Sequence, residues 1–135
     1  MIAYLLDTNI LSYFIRGRHP GLITRVVEAI ELEKAGISAV VRAEVRFGQS
    51  GMPPNDKRRR VIDLLLDQLP ALPWTVAAAD AYGPLKARLH SIGQPIGELD
   101  TQIAAHALAE GLVLVTHNTR HFERISGLKL EDWMV

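Results

Sequence analysis

Three carboxylates that lie far apart in the sequence stand where a catalytic or metal-binding site could be assembled: Asp7, Glu44 and Asp100. Asp7 directly follows Ile2–Leu6, an apolar run with the length of a parallel strand that is buried on both faces. Because ligands of open α/β sheets bind beyond the carboxyl ends of the strands, an acid at this position faces the binding crevice. The alternative role for Asp7 is an ordinary helix N-cap.

Glu44 lies on a predicted helix that begins near residue 40, and it shares one helix face with Val41 and Val45. This face is expected to pack inward. An unpaired carboxylate is costly to bury, so Glu44 there would need a cation, which could be Arg42, Arg46 or a metal ion. A salt-bridged glutamate at the rim of the core is the alternative.

Asp100 opens a helix predicted over 99–110 and lies in line with the apolar residues Ile103 and Ala107. The helix dipole favours a carboxylate in the first turn, so a capping role is the alternative to a site role. Glu98 is expected just outside this helix, where it is either an outer acid of the site or a solvated loop residue.

Thr116 and Asn118 follow the apolar strand predicted at Leu112–Val115. Both side chains can bond a metal-bound water or a phosphate, although they can equally form an ordinary turn. A set of oxygen ligands without His or Cys selects hard cations such as Mg²⁺ or Mn²⁺. Such ions can activate water and stabilise the leaving oxygen in phosphodiester hydrolysis.

The elements that must position these residues alternate along the chain. Apolar runs predict strands at Ile2–Leu6, Ile37–Ala39 and Leu112–Val115, with a short strand near Leu72–Trp74 and an edge strand near Leu128–Leu130. Helical periodicity and breakers predict helices over 10–17, 22–34, 40–49, 57–69, 76–91 and 99–110. This alternation is typical of an α/β fold with a central, mainly parallel sheet flanked by helices on both faces.

Composition sets wider limits on the kind of protein. The 135 residues suit one domain over residues 1–135, and a hydrophobic content of 48% argues against a disordered chain. The absence of cysteine excludes thiol catalysis and disulfide scaffolds. With 15 basic and 15 acidic residues, polyanion binding requires local clustering of charge. No apolar run has transmembrane length and no signal peptide is recognisable, so we expect a soluble cytoplasmic protein.

The basic residues and the histidines each allow two interpretations. Lys57-Arg58-Arg59-Arg60 is the only basic run, and it either contacts nucleic-acid phosphates or forms the solvated start of a helix. The five histidines show no zinc-ligand spacing. His117 either approaches a scissile phosphate or is a loop histidine without a chemical role.

Four segments, taken together, resemble the PIN-domain family, specifically the VapC-type toxins of bacterial toxin–antitoxin pairs. They cover almost the whole chain in matching order and spacing. The segments are YLLDTNILSYFIRG (4–17), ISAVVRAEVRFG (37–48), GQPIGELDTQIAAHALAEGL (93–112) and LVTHNTRHFERISGLKLEDW (114–133).

The resemblance implies a magnesium-dependent endoribonuclease, in which manganese can substitute. Asp7 and Asp100 then look like direct metal ligands, with Glu44 completing the pocket directly or through water. Many PIN domains carry a fourth acid where this chain has Asn118, so the number of metal ions stays open. Possible substrate or phosphate contacts are, in addition, Thr8, Asn9, Thr116 and Arg120.

The resemblance further implies a cellular RNA substrate, with tRNA favoured, a small antitoxin that blocks the toxin, and a homodimer or a hetero-oligomer with the antitoxin. Two other functions remain as alternatives. One is a PIN-like module that binds RNA or protein without cutting. The other is a DNA or structure-specific nuclease of related fold, although the chain lacks the additional elements that such enzymes usually carry.

Overall fold

A computed structural model describes residues 1–135, and its strands and helices alternate along the chain as predicted. The strands are β1 (Tyr4–Leu6), β2 (Ala35–Ser38), β3 (Ala71–Leu72), β4 (Val113–Val115) and β5 (Lys129–Glu131). The helices are α1 (Thr8–Arg16), α2 (Pro20–Glu31), α3 (Ala39–Ser50), α4 (Lys57–Gln68), α5 (Val76–Ser91), α6 (Glu98–Glu110) and α7 (Thr119–Phe122).

All five strands belong to one parallel sheet in the order β3-β2-β1-β4-β5. The first strand is therefore central, with Tyr4 opposite Ala35 on one side and Val113 on the other. Helices flank the sheet, so the predicted α/β fold class is confirmed. Since all strands run in the same direction, the loops that leave their carboxyl ends meet at one edge.

One hydrophobic core of 28 buried residues joins the sheet to its helices. Leu5 and Leu6 of the central strand have no exposed surface, as expected for a parallel strand that is covered on both faces. Ile103 of α6 and Ile37 of β2 are equally buried. Burying each such side chain stabilises the fold by roughly 1.5–3 kcal/mol, which fixes the helices that carry the candidate site.

Capping residues determine where the helices begin and end. The side chain of Asp7 accepts a hydrogen bond at the start of α1, and that of Ser38 does so at the start of α3. Gly111 closes α6 in the left-handed conformation. None of the seven helices is long and apolar enough to span a membrane.

Glu98 is the first residue of α6, so the prediction that it lies outside this helix was wrong. Gly97 precedes it with φ of 94°, a conformation that favours glycine and lets the chain turn directly into the helix. An acid in the first turn is also favoured by the helix dipole.

We expect Gly36→Ala to destabilise the fold by roughly 1–3 kcal/mol because a Cβ atom would overpack the sheet. That atom would lie 2.7 Å from Leu72 Cδ1 and 3.2 Å from the Pro70 carbonyl oxygen, which already accepts the N–H of Ile37. Urea unfolding measures the loss. Gly48→Ala is the control, since Gly48 is an exposed residue of α3 whose Cβ meets nothing within 4 Å, and helix propensity favours alanine by about 1 kcal/mol. Equal stability of the two variants would contradict the packing argument.

Candidate active site

A cleft of about 320 Å³ lies where Asp7, Glu44 and Asp100 come together. Asp7 follows the central strand, Glu44 comes from α3 and Asp100 from α6. The complete lining consists of Asp7, Thr8, Asn9, Glu44, Ile96, Gly97, Glu98, Leu99 and Asp100. The structure thus brings the three sequence-predicted acids, with Thr8 and Asn9, to a single cleft.

Asp7 is the most buried of these acids, with 2% of its surface exposed. Its Oδ1 accepts the N–H of Ile10 at 2.8 Å, so it caps α1 and lines the cleft at once. Burial raises the pKa of the Asp7 carboxyl to about 6, and repulsion from Asp100 and Asp132 adds to the rise. Hydrogen bonds from Thr116 and Ile10 act in the opposite direction. A carboxylate with so little water has a strong requirement for a cation.

Asp100 occupies the first turn of α6 and is half-buried. Burial raises the pKa of its carboxyl, while His121 lowers that pKa through its charge and a hydrogen bond. The Nε2 atom of His121 lies 3.1 Å from Asp100 Oδ2 and 2.8 Å from the Ile96 carbonyl oxygen. His121 therefore contacts the site, a role that its position in the sequence did not indicate.

Glu44 lines the cleft from an exposed position, so the prediction that its helix face packs inward was wrong for this residue. Val41 and Val45 fill the buried stripe of α3. Glu44 is at the edge of that stripe, one residue before Val45, where its carboxylate keeps contact with water.

Neither arginine that was considered as a partner of Glu44 binds it. Arg42 donates a hydrogen bond to the Leu66 carbonyl oxygen at 3.1 Å. Arg46 forms an ion pair with Asp63 at 2.6 Å. Glu44 therefore adds negative charge to the cleft without a basic side chain to neutralise it.

Glu98 also lines the cleft, but its carboxylate is bound by α5. It accepts a hydrogen bond from the Tyr82 hydroxyl and forms an ion pair with Lys86 at 2.8 Å. Glu98 is thus the one acid of the cleft that has a lysine as a partner.

The remaining polar residues predicted for the site, Thr116, Asn118 and Arg120, are not part of the cleft lining. Thr116 is fully buried, and its hydroxyl accepts the backbone N–H of Asn118 at 3.0 Å. Asn118 lines a neighbouring depression that also includes Asn9. Arg120 is exposed and is not part of the cleft lining.

Two of the four basic residues at the start of α4 have local partners. Arg58 forms an ion pair with the capping residue Asp56 at 2.6 Å. Arg59 donates hydrogen bonds to the carbonyl oxygens of Gln49 and Met52 at 2.7 and 2.9 Å. These contacts explain the run as part of the joint between α3 and α4.

Asp132 is a fifth acid near the site, and the sequence reasoning missed it. It follows β5, and its charge helps to raise the pKa of Asp7. The rule that identified Asp7, an acid just beyond a strand, applies equally to Asp132. The signal was weaker because β5 is a short edge strand without a long apolar run.

The donor set of the cleft fits a hard divalent cation. Asp7 and Asp100 supply oxygen atoms, which are the ligands that hard cations prefer. Burial raises the pKa of both carboxyls, because it removes the water that stabilises their ionised forms, and a bound cation would stabilise these forms instead. No group of three or more acidic, His or Cys side chains is close enough to form a complete ligand cluster. Two protein ligands supplemented by water are typical of Mg²⁺.

Comparison with known proteins agrees with this fold. Residues 4–128 match the PIN domain family. The chain is 35% identical to the tRNA(fMet)-specific endonuclease VapC of Shigella flexneri over 133 residues, covering 98% of this chain and 99% of the relative. It is 37% identical to ribonuclease VapC2 of Haemophilus influenzae over 134 residues, covering 99% and 100%.

Solved structures extend the similarity to three dimensions. VapBC of Salmonella typhimurium, bound to DNA, matches with a TM-score of 0.90 at 32% identity, covering 98% of this chain and 99% of that chain. VapBC2 of Rickettsia felis, bound to a promoter DNA fragment, matches with a TM-score of 0.88 at 32% identity and the same coverage.

The fold and the family match define a nuclease of the PIN-domain class. The chain belongs to this family and, within it, to the VapC ribonucleases, the toxins of toxin–antitoxin pairs. The resemblance drawn from the four sequence segments is thereby confirmed.

We expect Asp7→Asn to stabilise the metal-free protein increasingly as the pH rises from below 4 to above 6. The folded state binds the Asp7 proton more tightly than the unfolded chain, so the contribution of Asp7 to wild-type stability falls over this range, by on the order of 3 kcal/mol. Asparagine cannot ionise but still caps the helix. Urea unfolding in EDTA measures the difference between the variants, and a difference that does not change with pH would contradict the assignment.

Proposed function

We propose that this toxin is a magnesium-dependent endoribonuclease that cuts tRNA and is neutralised by a cognate antitoxin. The observation that carries the proposal is the meeting of Asp7, Glu44 and Asp100 in one cleft at the edge of a PIN-domain sheet. The raised pKa values of Asp7 and Asp100 support it, because burial removes the water that would stabilise both ionised carboxylates and a bound cation would replace that stabilisation.

The residues of the cleft have different roles in this proposal. Asp7 and Asp100 hold the metal ion, and Glu44 completes its surroundings from the exposed rim, directly or through water. Thr116 and the N–H of Ile10 keep the Asp7 carboxylate in place by hydrogen bonds. When bound, the ion supplies Lewis-acid stabilisation and a more acidic water for attack on the phosphodiester.

Substrate contacts are assigned to the uncharged residues around the cleft. Thr8 and Asn9 line it, and Asn118 lies in the adjoining depression. We assign the side chains of Asn9 and Asn118 to the phosphates on either side of the cut, whereas the hydroxyl of Thr8 is buried in the cleft wall. Cleavage in this way leaves 5′-phosphate and 3′-hydroxyl ends, as the family resemblance implies.

Initiator tRNA is the RNA that we propose as substrate. The relative from Shigella flexneri, named for tRNA(fMet), matches over 98% of this chain. Because structured RNA is recognised by shape and by exposed loops, no single residue of this chain identifies the target. A tRNA substrate also places the protein in the cytoplasm.

The partners follow from the solved relatives. These are complexes of VapB with VapC, which supports an antitoxin as the partner of this chain. We further propose that the toxin forms a homodimer, and light scattering of the purified chain at micromolar concentration tests this association directly.

Asp7→Asn and Asp100→Asn should each lower RNA cleavage by at least about a hundredfold, because each removes a charged metal ligand. Asp67→Asn is the matched control, since Asp67 is an exposed acid of α4 outside the cleft. Cleavage of total tRNA in Mg²⁺ and in EDTA provides the measurement. Retention of wild-type rates by both cleft variants would refute the proposed site.

We also expect the wild-type protein to bind Mn²⁺, used as a probe for Mg²⁺, and to cut initiator tRNA faster than single-stranded DNA of equal length. Calorimetry measures the first property, and side-by-side gel assays measure the second. Metal binding that survives in the Asp7→Asn, Asp100→Asn double variant would place the ion elsewhere. Equal cleavage of DNA would favour the general nuclease, and metal-free RNA binding without cleavage would favour the binding module.

A further inference from the structure

The depression beside the acidic cleft has a volume of about 270 Å³, and its lining residues are not acidic. It is lined by Asn9, Tyr13, His117 and Asn118, and Asn9 belongs to both linings. None of these four residues is acidic, whereas the cleft contains four carboxylates, those of Asp7, Glu44, Glu98 and Asp100. In the absence of a cation, a phosphate is therefore repelled more strongly by the cleft than by the depression, where the carboxylate of Asp132 lies behind His117 and is bound to it.

His117 is held in a fixed orientation in the wall of this depression. Its Nδ1 atom lies 3.0 and 3.2 Å from the two carboxylate oxygens of Asp132. The Tyr13 ring packs edge-on against the imidazole, with 5.7 Å between ring centroids and 89° between planes. Asp132 itself accepts the N–H of Met134 at 2.9 Å. These contacts leave the ring little freedom to rotate.

The other ring nitrogen, Nε2, makes no hydrogen bond within the chain. The His117 side chain is 42% exposed, whereas that of Asp132 is only 12% exposed behind it. A carboxylate can only accept, so Nδ1 donates to Asp132. In the imidazolium form both nitrogens donate, and Nε2–H is then available to an anionic oxygen.

We propose that this depression binds a backbone phosphate of the RNA strand next to the phosphate that is cut. The Nε2–H of a protonated His117 supplies a charged donor, and the amides of Asn9 and Asn118 supply neutral donors. Asp132 acts as a positioning residue through His117. The inference rests on the proposed ribonuclease function and adds a substrate subsite to it. Because Asn9 borders both regions, a strand anchored in the depression has its neighbouring phosphate directed to the acidic cleft.

The separation of this subsite from the metal ligands allows RNA binding to be measured without metal. Fluorescence anisotropy of a labelled single-stranded RNA in EDTA gives the Kd of the full chain. His117→Ala should weaken binding by about tenfold, as expected for one hydrogen bond to a charged group. The slope of log K against log salt should fall by about 0.7, the value for one phosphate contact on a single strand.

Three further variants make the test specific. His117→Gln retains a donor and should recover part of the affinity. Asp132→Asn keeps an acceptor for the Met134 N–H but removes the charge behind His117. It should raise the Kd for RNA, but by a smaller factor than His117→Ala does. His90→Ala removes an exposed histidine of α5 that lies outside the depression and should bind as wild type does. Circular dichroism establishes that each variant is folded.

Steady-state cleavage in Mg²⁺ separates binding from chemistry. The subsite predicts that His117→Ala raises KM and leaves kcat nearly unchanged. A Kd and a salt slope equal to those of His90→Ala would overturn the inference, and so would a lower kcat with unchanged Kd, which would indicate proton transfer instead. If the wild-type protein binds RNA through His117 but does not cut it, the proposed function fails while the subsite stands.

Discussion

Folding places the carboxylate of Asp7 at the end of the central strand, where almost no water reaches it. Burial disfavours the ionised form of this carboxyl and therefore raises its pKa to about 6. The fold tolerates the buried acid because the N–H of Ile10 and the hydroxyl of Thr116 bind it. The arrangement concentrates negative charge at one point of the sheet edge, and a divalent cation can compensate for charge of this kind.

The remaining parts of the cleft depend on the order of the strands. With β1 in the centre, β2 leads into α3 and Glu44 on one side, while β4 leads to Thr116 on the other. A buried hydrogen bond joins the two helices that carry the other acids. The His106 Nδ1 atom of α6 lies 2.8 Å from the hydroxyl of Ser38, which caps α3. Glu44 and Asp100 are thus held relative to each other by contacts within the core.

Acidic and uncharged polar side chains lie in separate regions of this edge of the sheet. The acids collect in one cleft, and the uncharged donors with His117 collect in the next. Asp132 connects the two regions, because it binds His117 and also raises the pKa of Asp7. Such a division suits the polyanion of the proposed function, because donors in the depression would bind the strand while the phosphate to be cut would face the acidic cleft.

Much of this protein was determined by local sequence alone. The buried strand before Asp7, the cap at Asp7 and the helix ended by Gly111 follow from apolar runs and from hydrogen-bonding side chains that act within a few residues. The α/β class followed from the alternation of these elements, and the family followed from the four segments that contain the acids. These predictions are confirmed because each rests on interactions between near neighbours in the chain.

Tertiary structure alone decided which side chains meet. Helical periodicity predicted that Glu44 faces the core. In the structure, Val41 and Val45 pack into the core and Glu44 stays exposed at the rim of the cleft. The contacts of His121 with Asp100 and of Asp132 with His117 join residues from different elements, so no local pattern encodes them. Strand order and helix packing set these distances through the burial of the whole core, a property of the complete chain that cannot be assigned to any one segment.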